Sequence, residues 1–155
     1  MKPNSTVKEQ SLNPQSVART QAQPAVEADT LDERLVLALQ AAAEKKAIDP
    51  TVLDLREIAS FTDFFVITSG ANERQVQAIS DEVYETLKKA GSTAARVEGY
   101  KTAEWILLDY GDFVVHVFEQ KARNFYDLER LWRESKRVEL PAGLFPDTSS
   151  LRRES

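Results

Sequence analysis

A chain of 155 residues has the length of one domain with tails, and the roughly 110 residues between those tails suffice for a single core without staples. It contains no cysteine, which excludes a disulfide scaffold, a thiolate zinc site and a cysteine nucleophile. No apolar run approaches the roughly 18 residues of a membrane span, and the N-terminus lacks the short apolar core of a secretory signal. The net charge is −5, and acids and bases balance within residues 1–30 and within 141–155, so the whole excess lies on 31–140. Such a domain repels phosphate backbones on average and suits a basic protein partner better than nucleic acid.

Residues 1–30 are rich in Gln, Pro, Ser, Thr and Asn and hold no aromatic residue, so they read as a disordered tail. Arg19 is the only arginine there, among Glu9, Glu27 and Asp29, which runs against a transit peptide; the expected compartment is the cytoplasm, with organellar import as the alternative. Residues 31–140 form the folded domain, and residues 141–155, opening Pro141-Ala142-Gly143, form a second tail.

Thr30 and Glu33 fit a capping box that starts the first helix. Leu31, Leu35, Leu39 and Ala42 follow at helical spacing, Lys45 and Lys46 occupy the last turn, and Asp49-Pro50 breaks the helix. Val52 to Arg56 reads as a strand, and Asp63 to Ser69 as another, richer in Phe, Val and Ile. Asn72 caps a second helix with one face of Val76, Ile79, Val83 and Leu87, ended by Ala90-Gly91. A short strand near Ala94 to Glu98, a hairpin, and a last helix over about Phe125 to Ser135 complete the order α-β-β-α-β-β-β-α. The predicted fold class is α/β, a mixed sheet flanked by helices.

The hairpin is the informative segment. Trp105 to Phe118 alternates around Tyr110-Gly111, and a two-residue loop there pairs Asp109 with Asp112, Leu107 with Val114, and Trp105 with His116. One face is then Ile106, Leu108, Phe113, Val115 and Val117, wholly apolar and meant for the helices. The other is Trp105, Leu107, Asp109, Asp112, Val114, His116 and Phe118. Large aromatics beside a histidine and carboxylates describe a protein–protein interface better than a solvated face or a core. A slip of one residue would exchange the two faces.

The string from Trp105 to Phe118, with Arg123, Tyr126-Asp127-Leu128-Glu129 and Leu131-Trp132 after it, resembles the signature of the ribosomal silencing factor family, also called Iojap. The resemblance extends upstream through Asp54-Leu55, Thr62-Asp63-Phe64-Phe65-Val66-Ile67, Ser69-Gly70 and Val97-Glu98-Gly99, and covers about residues 31–135. It implies a nucleotidyltransferase-like fold without the catalytic motif. It also implies a translational repressor that binds protein fourteen of the large ribosomal subunit and blocks joining of the small subunit when nutrients are scarce. The partner-binding residues chosen by the face pattern are Trp105, Leu107, Asp109, His116 and Phe118, with Glu98 and Tyr126 at the rim.

Two other functions compete. A nucleotidyltransferase needs a Gly-Ser turn and two or three carboxylates around magnesium. Here the order is Ser69-Gly70, Asp109 and Asp112 bracket a turn, and Asp63 stands apart, so no enzyme, cofactor or metal is expected. RNA contact through the basic side chains Lys88, Lys89, Lys121, Arg123, Arg130, Arg133, Lys136 and Arg137 is peripheral in a domain of negative net charge. The aromatic face also fits a second copy of the chain, giving a homodimer off the ribosome.

Overall fold

The computed structural model describes residues 32–140. The tails read at 1–30 and 141–155, and with them Thr30 and Leu31, lie outside the described residues. Helix α1 (Glu33–Glu44) is capped by Asp32, whose carboxylate accepts from the Arg34 backbone N–H at 2.8 Å. It ends one residue before Lys45, which is the C-cap, so the two lysines follow the helix instead of filling its last turn. Asp49 and Pro50 do not break it either. They lie in strand β1 (Ile48–Asp54), where the pairing register shifts between Ile48 and Thr51 and Asp49 takes a φ of 48°. A proline has no N–H for a ladder and is placed at such irregularities.

Strand β2 (Phe64–Gly70) runs antiparallel to β1, and helix α2 (Glu73–Lys89) follows, with the Asn72 side chain accepting from Gln75 N–H at 2.9 Å. Strands β3 (Arg96–Glu98), β4 (Trp105–Asp109) and β5 (Phe113–Glu119) come next. The expected helix over 125–135 is differently placed. Glu119 caps α3 (Gln120–Tyr126), Asp127 at φ 52° interrupts, and α4 (Leu128–Leu131) is a single turn. A two-residue strand, β6 (Lys136–Arg137), then pairs with Leu53 and Asp54 of β1.

The six strands form one mixed sheet in the order β3-β4-β5-β2-β1-β6, with β2 and β5 parallel at its centre. Helices α1 and α2 cover one face: Leu35, Leu39, Val76, Ile79, Val83 and Leu87 pack on Val66, Ile106, Leu108, Phe113, Val115 and Val117. A second cluster lies on the other face, with Leu53, Leu55, Phe65, Ile67, Val114 and Phe118 beneath Ala122 and Leu128.

The hairpin pairs Trp105 with Phe118, Leu107 with His116 and Asp109 with Val114. The turn is therefore centred one residue later than the sequence suggests, on Gly111-Asp112, with Tyr110 N–H donating to Phe113 C=O at 2.9 Å. Gly111 has a φ of 85°, the left-handed value required at the first central position of such a turn. Pairing moves by two residues, an even number, so every strand side chain keeps its expected face.

Candidate protein-docking face

Trp105, Leu107 and Asp109 alternate along β4 as half-buried residues between fully buried Ile106 and Leu108. The neighbouring strand β3 adds exposed Glu98 opposite Leu107 and exposed Arg96 opposite Asp109. Arg96 holds Glu98 at 2.8 Å and Asp109 at 3.2 Å. Asp109 also accepts from Gly111 N–H at 2.9 Å, which fixes the carboxylate at the turn. A charged rim thus borders an aromatic centre.

At that centre the Trp105 ring lies against Phe118 at 4.9 Å and Tyr126 at 4.8 Å between centroids. Its indole Nε1–H donates to His116 Nδ1 at 3.0 Å. Behind Trp105, Gly99 has a φ of 82°, and a Cβ there would fall 2.0 Å from the Trp105 carbonyl oxygen. Only glycine fits this close approach. Ring contacts continue from His116 to Phe65 at 4.4 Å, then to Trp132 and Phe61 at 5.8 Å each. One run of aromatic side chains therefore spans the face from Phe125 and Tyr126 to Phe61.

The predicted site residues separate into two levels. Trp105, Leu107 and Asp109 are half-exposed, and Glu98 and Tyr126 are exposed, so all five meet solvent together. Phe118 and His116 were expected at the surface but are 0% and 3% exposed. They sit on an interior strand under the aromatic side chains and form the floor of the face. Burial pushes the His116 pKa down to about 3, against a smaller upward pull from Asp109, so the imidazole is neutral. With Nδ1 accepting, the ring proton belongs on Nε2, which is buried without a partner.

The sequence reading missed Arg96 at the rim and Phe61, Phe125, Leu131 and Trp132 around the aromatic centre. Phe61, Phe125 and Leu131 are 60%, 80% and 69% exposed. Arg96 was findable by the period of two, since it shares a face with Glu98. The others lie in loops and short helices, where no period announces a face.

The residues that a nucleotidyltransferase would use are engaged otherwise. Ser69 Oγ accepts from Arg123 Nη1 at 3.0 Å, and a Cβ on Gly70 would meet Val76 N at 3.0 Å. Arg123 also pairs with Glu129 at 2.6 Å and reaches Thr51 Oγ1 and the Ile48 carbonyl. Asp109 is bound to Arg96, while Asp112 turns toward the other side of the sheet and pairs with Arg34 of α1 at 2.8 Å. Among the described residues no group of three or more His, Cys, Asp or Glu is arranged to hold a metal ion. Nor is any helix there long and apolar enough to cross a membrane.

Residues 28–155 match the family described as "Ribosomal silencing factor during starvation". A protein of Halalkalibacterium halodurans named "Ribosomal silencing factor RsfS" is 44% identical over 108 residues, which are 70% of this chain and 92% of that one. "Protein Iojap, chloroplastic" of Zea mays is 39% identical over 121 residues, 76% of this chain and 53% of that longer one. A crystal structure of a Bacillus halodurans protein superimposes with a TM-score of 0.63 at 44% identity, covering 70% of this chain and 98% of the other.

Proposed function

The chain belongs to the ribosomal silencing factor family, and from that premise we propose that it represses translation by occupying the large ribosomal subunit. In this reading it docks on protein fourteen of that subunit, blocks joining of the small subunit, and lowers translation when nutrients are limiting. The observation that carries it is the half-exposed Trp105, set among aromatic side chains and bordered by Glu98, Arg96 and Asp109. A central aromatic anchor with a polar rim is the usual anatomy of an interface hot spot. The contact layer is Trp105, Leu107 and Asp109 with Glu98 and Tyr126, extended by Phe61, Phe125 and Leu131. Phe118 and His116 support it from below. The acidic balance of the domain favours a basic ribosomal protein as the partner.

Such a protein acts by excluding another body, which calls for no catalysis. The engagement of Ser69 by Arg123, and of Asp109 and Asp112 by separate arginines, favours this over nucleotide and magnesium binding. Exposed Lys121, Arg130 and Arg133 beside the face suit peripheral contact with ribosomal RNA, and the same face closes on a second copy when the ribosome is absent. The cytoplasm is the compartment proposed.

The test is co-sedimentation with purified large subunits. Trp105→Ala, shown to be folded, is expected to weaken docking by about 2–4 kcal/mol and to restore subunit joining in proportion. Undiminished co-sedimentation of that variant would remove Trp105 from the interface.

A further inference from the structure

The Trp105 ring is held by stacking on Phe118 and contact with Tyr126. Stacking fixes the plane of an indole but says little about which edge points where, because the χ2 torsion of an aromatic side chain is broad and roughly two-fold. One polar contact removes that freedom: Nε1–H donates to His116 Nδ1 at 3.0 Å. The backbone beneath is held separately, by the approach of Gly99 to the Trp105 carbonyl and by the pairing of Trp105 with Phe118.

Stability alone does not account for a histidine at position 116. A hydrogen bond contributes modestly to net stability, whereas a buried donor left unsatisfied is costly. His116 Nε2 is such a donor, enclosed on an interior strand among Phe65, Trp105 and Phe118. An aliphatic residue would fill the same space without a buried Nε2 donor, and would leave the indole N–H of half-buried Trp105 without its acceptor.

We propose that His116 is a positioning residue for docking: from the floor of the face it accepts the Trp105 indole N–H and holds the indole in the single orientation that the partner meets, without touching the partner. This rests on the docking function proposed above. Its basis is geometric, because a residue 3% exposed on an interior strand cannot reach a partner while Trp105 covers it. The ring stays neutral in this environment, so Nδ1 remains an acceptor throughout the physiological range. Pre-organising an anchor in this way strengthens binding by reducing the ordering that association must impose.

The experiment compares His116→Leu, which removes the acceptor, with His116→Asn, whose Oδ1 stands near the place of Nδ1. Three quantities are read on the full chain: thermal stability, hydrogen exchange of the Trp105 indole N–H by NMR, and co-sedimentation with purified large ribosomal subunits. In the wild type the indole N–H is expected to be protected from exchange; exchange at the rate of an open indole overturns the proposal without any variant. His116→Leu is expected to lose that protection and to dock about tenfold more weakly, at equal or higher thermal stability. His116→Asn is expected to keep the protection and to dock within about threefold of wild type. Wild-type docking by His116→Leu with an unprotected indole overturns the proposal, as does weak docking by a His116→Asn whose indole is protected. Should His116→Leu fail to fold, the wild-type and Asn measurements decide. The docking function itself fails on a different result: no co-sedimentation of the wild-type chain with large subunits, whereas undiminished co-sedimentation of a folded Trp105→Ala removes Trp105 from the interface and overturns the role of His116 with it.

Discussion

The two faces of the sheet are built from the same strands but to different ends. Toward α1 and α2, aliphatic side chains interlock with little polar content and almost no exposure. Toward α3 and α4, a smaller apolar cluster lies under a run of aromatic side chains whose outer members, Phe61, Phe125 and Tyr126, stand in solvent. A face that only closed a core would have no reason to leave those side chains open, and one that only met water would not carry them. Folding energy is concentrated on the first face, leaving the second able to present large apolar groups.

The sharpest way to break this contrast is to empty the helix side. Leu39→Ala, at a fully buried position, is expected to lower unfolding free energy by about 2–5 kcal/mol in urea titrations while leaving docking per folded molecule unchanged. Trp105→Ala should do the reverse, with the larger loss in docking. Gly99→Ala probes the seam, because its Cβ collides with the Trp105 carbonyl and its φ is left-handed. It is expected to cost about 1–2 kcal/mol in stability and to weaken docking as well, measured by denaturation and co-sedimentation on the same preparation.

Acid gives a more gradual signal from the aromatic side. The unfolded imidazole titrates near 6.5 and the buried His116 at about 3, so between those values the unfolded chain holds the extra proton. Stability from this source is complete above pH 6.5 and declines as pH falls toward 3, by roughly 1 kcal/mol per unit. His116→Asn should flatten that part of the pH profile in thermal melts, whereas Leu39→Ala should shift the profile without changing its shape.

Much of this was legible in the sequence. Alternation from Trp105 to Phe118 assigned each strand residue to its face even though the pairing was displaced by two, since parity survives an even shift. Gly111 fits either central position of a two-residue turn, and nothing local chose between them. The layers within a face were harder to read. Period two places Trp105, His116 and Phe118 on one side of the sheet, but depth depends on what lies across β5, namely Phe65 from β2 and Tyr126 from α3. The left-handed residues Asp49 and Asp127 and the two-residue β6 were missed because tertiary contacts, not local propensity, hold them.

The parallel pairing of β2 with β5 also sets an order of events during synthesis. Phe64 must wait for Phe113 to be made, and the aromatic cover waits longer, for Tyr126 and Trp132. Such long-range pairing is slow to form. A nascent chain ending before α3 therefore carries the Trp105–Phe118 surface without its cover, and the face proposed for docking comes into being only after almost the whole domain has left the ribosome.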